Sequence, residues 1–290
     1  MRNRTLALIA LSATVLIWGT TFVATKVALR ELQPFTLSLL RFLLGLLVLL
    51  PLAWWEQRRT RGALAWRQLA LAGLLGGFLF FALQNVGLVY TTAAKGSLIV
   101  GSVPALTAIV SFLVLGERSG RARLAGVAAS VLGVAVIVVG SGEDLWQGGS
   151  LLGDLMMLGS ALTWALYTVQ VKGLEKRVTP AVLSAASVGF GALFLVPFAG
   201  YELLAGPWRA PGSTAWLSVA YLGLVASAVP FLLWNLALKH VDASEAAVYT
   251  NVVPVVAVAG AVLLLGESLA PLQLLGGAFV LGGVWAAGKG

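Results

Sequence analysis

Aromatic, amide and hydroxyl side chains recur together in apolar runs of this sequence, at helical spacings of three and four residues. Amides can both donate and accept hydrogen bonds, and indole rings can pack on apolar groups or face a cation. Because unpaired polar groups are costly in apolar surroundings, this convergence predicts a cavity for a small ligand with polar and apolar parts. The predicted substrate-binding residues are Trp18, Thr21, Phe78, Phe81, Gln84, Asn85, Ser97, Trp164, Tyr167, Trp234, Asn235 and Asn251.

Helix packing is the alternative interpretation of the same side chains. Amide pairs between membrane helices contribute about 1 kcal/mol or less each, and aromatic rings often fill a core or form an interfacial belt. Trp54, Trp66 and Trp216 lie near the ends of apolar runs, as a belt requires, whereas Trp18, Trp164 and Trp234 do not. The sequence leaves both interpretations open for these three tryptophans.

Residues that carry catalysis or bind metals are sparse. The chain has no cysteine and a single histidine, His240. It also lacks the HExxH, GxSxG and P-loop motifs and any acidic metal-binding cluster. We therefore predict that the protein is not an enzyme and uses no cofactor or metal. The net charge of +8 does not indicate a nucleic-acid partner, because the basic residues lie in gaps between apolar runs.

Composition indicates the elements that must position these side chains. Hydrophobic residues make up 59% of the 290 residues and charged residues 10%, whereas soluble proteins have about 25% charged residues. A membrane-spanning helix needs about 20 mostly apolar residues. The predicted fold class is therefore an all-α membrane protein with ten transmembrane helices. We number the predicted spans 1 to 10 in chain order: 5–26, 34–55, 68–89, 95–115, 122–140, 151–171, 180–201, 214–236, 243–265 and 271–288.

Lysine and arginine are unevenly distributed between the two sides of these spans. With the N-terminus inside, 14 of them fall on the inner side and 4 on the outer side, and Arg41 lies within span 2. Because short cytoplasmic loops are enriched in lysine and arginine, both termini are predicted to be cytoplasmic. The predicted location is the bacterial inner membrane, with the lipid bilayer as the surroundings of a multi-pass protein.

The two halves of the chain repeat one another, which predicts repeats at 1–141 and 142–290. Five spans is an odd number, so the second half must enter the membrane inverted relative to the first. Inverted repeats around a central site are the architecture of many secondary transporters, which expose that site alternately to each side. The matched pairs include Trp18/Trp164 and Lys26/Lys172 at a shift of 146 residues, and Asn85/Asn235, Pro104/Pro254 and Glu117/Glu267 at a shift of 150.

Prolines and charges within the spans give two further predictions. Pro104 and Pro254 remove backbone hydrogen bonds in spans 4 and 9, and with Gly101 they are predicted hinges, static kinks being the alternative. The middle of each span lacks Asp and Glu, which disfavours a proton-driven pump for cationic drugs. For Arg41, extension to the outer surface or a structural ion pair is favoured over a place in the substrate pathway.

Glycines recur every seven residues in spans 5 and 10. They are Gly126, Gly133 and Gly140 in span 5, and Gly276 and Gly283 in span 10. Seven residues are almost two helical turns, so each series lies on one helical face. Small residues allow membrane helices to approach closely, and we favour packing of span 5 on span 10 over a dimer interface. The predicted assembly is a monomer or a weak homodimer.

A family resemblance rests on specific motifs. The sequence "WGTTFVATK" of span 1, the "LGE" that closes spans 4 and 9, and the glycines of spans 5 and 10 resemble the drug/metabolite transporter superfamily, EamA type. Within that branch the chain is similar to the bacterial amino-acid exporters called YddG. The resemblance covers nearly the whole chain. It implies a ten-helix basket with a central cavity and the export of amino acids or related metabolites.

The sequence therefore predicts an inner-membrane exporter of small zwitterionic metabolites, with spans 1, 3, 4, 6, 8 and 9 around the site. Two alternatives differ in class. One is a transporter of a drug, nucleotide-sugar or lipid on the same fold. The other is an intramembrane lipid-modifying enzyme, which would need a cluster of histidines or carboxylates at one membrane face.

Overall fold

The computed structural model describes residues 2–60, 65–115, 121–140, 150–205 and 210–287, and the regular structure within these ranges is helical. Each of the ten predicted spans coincides with one helix or with a divided helix. Six spans are single α-helices, namely Arg2–Ala28 (span 1), Pro34–Thr60 (span 2), Arg121–Val139 (span 5), Ser150–Lys172 (span 6), Pro180–Ala205 (span 7) and Pro271–Ala287 (span 10).

Four spans are divided, and they form two matched pairs. Spans 3 and 8 each contain a π-helical segment, and spans 4 and 9 are each broken by two residues near a proline. Span 3 comprises Trp66–Ala72, the π-helix Gly73–Leu79 and Phe80–Tyr90; span 8 comprises Ser213–Ala220, the π-helix Tyr221–Val225 and Ala228–Ala237. Span 4 comprises Ala93–Val100 and Val103–Leu115, and span 9 comprises Ala243–Tyr249 and Val252–Leu265.

The length and surface of these helices fit a bilayer. Eight spans are long and apolar enough to cross a membrane, and the apolar parts of spans 5 and 10, Ala125–Val139 and Pro271–Gly283, are shorter. Large apolar side chains face outward, for example Leu204 at 90% exposure and Leu263 at 81%. Helices satisfy their backbone hydrogen bonds internally, as hydrocarbon requires. The protein is therefore a multi-pass membrane protein.

Glutamates at the ends of three spans cap the beginnings of others. Glu202 of span 7 accepts hydrogen bonds from the backbone amides of Phe35 (3.0 Å) and Thr36 (2.7 Å) at the start of span 2. In the matched position, Glu56 of span 2 accepts one from Ala181 at the start of span 7 (3.2 Å). A carboxylate at a helix N-terminus satisfies orphan amides and complements the helix dipole. Each half of the chain thus caps a helix of the other.

Glu267, one of the two glutamates of the repeated "LGE" motif, also caps the start of a helix. Glu267 accepts hydrogen bonds from the amides of Ala93 (3.0 Å) and Ala94 (2.8 Å), where span 4 begins. Its counterpart Glu117 lies outside the described residues. The motif that closes span 9 therefore stabilises the start of span 4.

Two lysines make equivalent contacts in the two halves. Lys26 donates to the carbonyls of Leu88 (2.6 Å) and Thr91 (2.7 Å) at the end of span 3. Lys172 donates to the carbonyls of Leu238 (2.7 Å) and Val241 (2.8 Å) after span 8. Helix C-termini carry unsatisfied carbonyls that favour a cation. The contact recurs at the shifts of 146 and 150 residues that relate the sequences, so the fold consists of two inverted five-helix repeats.

The glycine series of spans 5 and 10 pack against each other. A Cβ atom on Gly133 would lie 2.6 Å from the Gly276 carbonyl oxygen, and one on Gly276 would lie 2.7 Å from that of Gly133. Gly283 approaches the Gly126 carbonyl in the same way, at 2.5 Å. The glycines therefore allow close packing of span 5 on span 10 within one chain, the interpretation favoured from the sequence.

Candidate functional site

A cavity lies between the two halves, near the middle of the spans. Its volume, including the space that is continuous with the outside, is about 520 Å³. Its 13 lining residues are Trp18, Thr21, Phe22, Arg41, Phe80, Phe81, Gln84, Val100, Val103, Trp164, Phe231, Thr250 and Val253. The structure thus brings together spans 1, 3, 4, 6, 8 and 9, as predicted, and adds span 2.

Aromatic rings form much of the cavity wall. Trp164 of span 6 lies edge-on to Trp18 of span 1, with ring centroids 4.9 Å apart, and it lies at the same distance from Phe80. Phe231 of span 8 is 5.8 Å from Trp164. Rings at such distances and angles attract one another beyond their buried area. The two halves therefore meet through an aromatic cluster that presents an apolar surface to the cavity.

The polar atoms of the cavity include neutral side chains and a backbone carbonyl. Gln84 forms no hydrogen bond to any residue that the structure describes, so its amide is available to a ligand. Thr21 bonds the Trp18 carbonyl of its own helix at 2.6 Å. Pro104 has no N–H, so the Val100 carbonyl lacks its helical donor. These groups can replace water around a polar ligand.

The broken spans flank the cavity at their breaks. In span 4, Val100 and Val103 line it on either side of the break, and in span 9 Thr250 and Val253 do the same. The Thr250 carbonyl, deprived of Pro254 as a donor, accepts from Val253 instead (3.0 Å). Irregular backbone at membrane depth is tolerated where it faces protein or a watery cavity. The predicted helix breaks are present, and both adjoin the cavity.

Arg41 occupies a place other than the one favoured from the sequence. Its side chain is 1% exposed and lines the cavity. Nε donates to Ser227 Oγ at 3.0 Å, and the guanidinium carbon lies 4.5 Å from the Phe81 ring centroid. The prediction of extension to the outer surface or of an ion pair is wrong. Span 2 packs closely on spans 7 and 8, and this encloses the guanidinium before it can reach the surface.

Two of the three predicted asparagines, Asn85 and Asn235, join helices and do not line the cavity. Asn85 Nδ2 donates to Ser38 Oγ at 2.7 Å, and Asn235 Nδ2 donates to Ser184 Oγ at 2.9 Å. The two bonds match at the repeat shifts. Tyr167 is fully buried beside Asn235, with oxygens 3.3 Å apart. For these residues the structure favours the packing interpretation.

The other predicted site residues divide between the cavity wall and its surroundings. Trp18, Thr21, Phe81, Gln84 and Trp164 line the cavity. Trp234 stands behind the wall, 5.3 Å from the Trp18 ring and 5.9 Å from the Trp164 ring. The remaining three lie outside the wall. The Phe78 ring packs on Phe194 and Phe198, and Ser97 donates to the Ala94 carbonyl. Asn251 lies in the break of span 9, after its first helix.

Lys95 of span 4 is a second basic residue inside the spans, and it is neutralised by an acidic partner. Its Nζ lies 2.7 Å from Asp154 Oδ2, and both side chains are buried. Thr91 donates to the second oxygen of Asp154 at 2.9 Å. This pair ties span 4 to span 6 near one membrane face. It leaves Arg41 as the cation among the residues that line the cavity.

Several lining residues were not selected from the sequence. Phe22, Phe80, Val100, Val103, Phe231, Thr250 and Val253 line the cavity. The valines carry no polar signal and resemble ordinary lipid-facing residues. Their position beside the prolines was the available signal, because a break exposes backbone to a cavity.

These features define a class of protein: a membrane transporter of two inverted repeats with broken helices at a central cavity. Comparison with protein families agrees, since the model of the EamA-like transporter family matches residues 5–139 and again 151–288. The chain belongs to the EamA-like transporter family, within the drug/metabolite transporter superfamily.

Individual relatives cover nearly the whole chain. An uncharacterized transporter of Archaeoglobus fulgidus is 31% identical over 98% of this chain and 97% of its own. A probable terminal-alkyne amino-acid exporter of Streptantibioticus cattleyicolor is 31% identical over 95% of this chain and 91% of its own. A crystal structure with 22% identity superposes with a TM-score of 0.69, covering 98% of this chain and 96% of that one. The family members are named as transporters, and this protein is a transporter, not an enzyme.

Proposed function

We propose that the protein exports small zwitterionic metabolites, foremost amino acids, across the bacterial inner membrane by alternating access of the central cavity. The observation that carries the proposal is the cavity itself: aromatic and aliphatic walls with neutral hydrogen-bonding groups and one guanidinium, at the junction of the two halves. Ligand sites of this kind are mostly apolar, with a few placed polar groups that orient the ligand.

The lining residues suit the parts of an amino acid. Trp18, Phe80 and Trp164 form an apolar wall for the side chain. Gln84 and the Val100 carbonyl supply acceptors for the ammonium group. An indole face can contribute a cation–π contact worth about 0.5–2 kcal/mol. The ligand would recover within the membrane the hydrogen bonds that it gives up in water.

Transport requires the cavity walls to move. The breaks in spans 4 and 9 adjoin the cavity, and Gly101, Pro104 and Pro254 would act as hinges there. Displacement of each helix half about its break would widen one side while the matched break narrows the other.

The relatives support the direction and the substrate class. One is named a probable terminal-alkyne amino-acid exporter, and its similarity extends over the spans that form the cavity. The basic residues of the predicted inner loops support placement with both termini in the cytoplasm.

Purified protein in liposomes tests the proposal. Counterflow of a labelled amino-acid panel, with and without a proton gradient, should show saturable transport, strongest for bulky apolar side chains. Trp164→Ala should raise the half-saturation concentration for leucine and phenylalanine about tenfold, and much less for alanine, because it removes aromatic wall. Trp216→Ala, a 44% exposed tryptophan outside the cavity, is the matched control. Folded protein that moves no amino acid would refute the proposal.

A further inference from the structure

Arg41 is a buried cation with unused hydrogen-bonding capacity at the cavity. Its Nη1 has no hydrogen-bond partner, and its Nε donates to a neutral hydroxyl, that of Ser227. The 13 lining residues include no Asp or Glu. Within the described residues, no carboxylate forms an ion pair with Arg41.

An unpaired guanidinium inside a membrane protein is expensive, and its usual remedy is a partner of opposite charge. Arg41 lies seven residues after Pro34, where span 2 starts. At roughly 1.5 Å per residue, it is about 10 Å along the helix from that end. Its cation–π contact with Phe81 compensates only part of the lost hydration. The residues that the structure describes supply no anion at this place, so a ligand in the cavity is the available source.

We infer that Arg41 binds the carboxylate of the transported molecule, so that the site selects substrates by an anionic group and not by the ammonium group. A guanidinium donates two parallel hydrogen bonds to a carboxylate. Nε is already bonded to Ser227, whereas Nη1 has no partner and can still donate. The inference rests on the proposed function for the rest of the substrate. It deepens that function by naming the group that must be present.

The geometry also orders the ligand. The guanidinium belongs to span 2, whereas the aromatic rings of Trp18, Phe80 and Trp164 belong to spans 1, 3 and 6. A bound amino acid with its carboxylate on Arg41 would place its side chain on a wall that both halves form. Closure of the halves around the cavity would therefore be coupled to occupancy by a molecule that has both parts.

The test compares four probes that differ only in charged groups: phenylalanine, phenylalaninamide, phenethylamine and 3-phenylpropionate. Competition with phenylalanine counterflow in liposomes should show that wild-type protein prefers phenylalanine to phenylalaninamide by at least about tenfold. Tenfold corresponds to about 1.4 kcal/mol, near the lower end for hydrogen bonds to charged groups. Equal competition by the amide would overturn the inference without any variant being made.

Variants of Arg41 and Ser227 test whether the discrimination between acid and amide depends on the guanidinium. Arg41→Gln should abolish discrimination between acid and amide while keeping the preference for phenylalanine over alanine, and Arg41→Lys should restore part of it. Ser227→Ala, which removes only the neutral partner, should keep discrimination. A folded Arg41→Gln protein that still prefers the acid contradicts the inference.

A binding measurement separates this inference from the proposed function. Stabilisation of detergent-solubilised wild-type protein by 3-phenylpropionate, lost in Arg41→Gln, would support the anion site even if phenylalanine were not transported. Transport of phenylalanine and its amide at equal rates would leave the proposed function intact and remove the anion site.

Discussion

Gln84 and Asn85 are adjacent amides with different surroundings. Gln84 lines the cavity, whereas Asn85 is fully buried and donates to Ser38. Successive residues of a helix differ by about 100° in direction, so the two side chains face different neighbours. The same amide chemistry thus lines the cavity in one case and joins two helices in the other.

We therefore predict opposite outcomes for the two alanine variants. Asn85→Ala should lower thermal stability, by about 1 kcal/mol or less for one interhelical bond, with unchanged substrate affinity. Gln84→Ala should weaken affinity and leave the melting temperature nearly unchanged. Thermal unfolding in detergent and counterflow kinetics measure the two effects. Weaker affinity in Asn85→Ala at normal stability would return Asn85 to the site.

The division between cavity and packing could not be read from the sequence for physical reasons. Helical spacing identified faces, and the repeat identified matched pairs such as Trp18/Trp164, which do meet. Neither the helical spacing nor the repeat shows which neighbouring helix each face contacts. Arg41 shows the limit most clearly, because its burial depends on how closely spans 7 and 8 pack on span 2.

Among the helices, we expect spans 4 and 9 to move about their breaks during transport. Pro104→Ala restores a donor for the Val100 carbonyl and should favour a continuous helix. We expect transport to slow several-fold with a smaller change in affinity, because such conformational couplings amount to about 1–3 kcal/mol. Pro51→Ala, within the unbroken helix of span 2, is the control. Wild-type transport rates in Pro104→Ala would show that the break is static.

The seam between spans 5 and 10 offers a second test at this scale. A side chain on Gly283 would collide with span 5, whereas one on its neighbour Gly282 meets nothing within 4 Å. Gly283→Leu should therefore destabilise the protein by about 1–3 kcal/mol, the usual cost of overpacking, and Gly282→Leu should be neutral. Thermal unfolding compares them. A change of oligomeric state in Gly282→Leu would point instead to a dimer through the outer face.

The elements themselves were well predicted from the sequence. Apolar length predicted the ten spans, and Pro104 and Pro254 predicted the breaks in spans 4 and 9, because a missing N–H is a local property. The π-helical segments of spans 3 and 8 were not foreseen. They depend on close approaches such as Gly76 to Tyr167, which only the assembled fold provides.

At the scale of the whole molecule, the basic residues predict which face is cytoplasmic. The chain has no cysteine, so single cysteines can be introduced without removing any. Gly173→Cys lies between spans 6 and 7, and Ser213→Cys begins span 8; both positions are exposed. In intact bacterial cells, a membrane-impermeant maleimide that enters the periplasm should label Ser213→Cys and spare Gly173→Cys. The reverse pattern, or labelling of both from one side, would overturn the predicted topology.

The helix caps formed by Glu56 and Glu202 are related by symmetry between the two halves. Glu56 binds the start of span 7 and Glu202 binds the start of span 2, so the same residue of each half contacts the same residue of the other. That exchange is the signature of an isologous interface between two identical subunits. The two halves of this chain are thus arranged as two antiparallel subunits of a homodimer would be. The symmetry does not extend to every side chain, since Arg41 of span 2 has Ser187 as its counterpart in span 7.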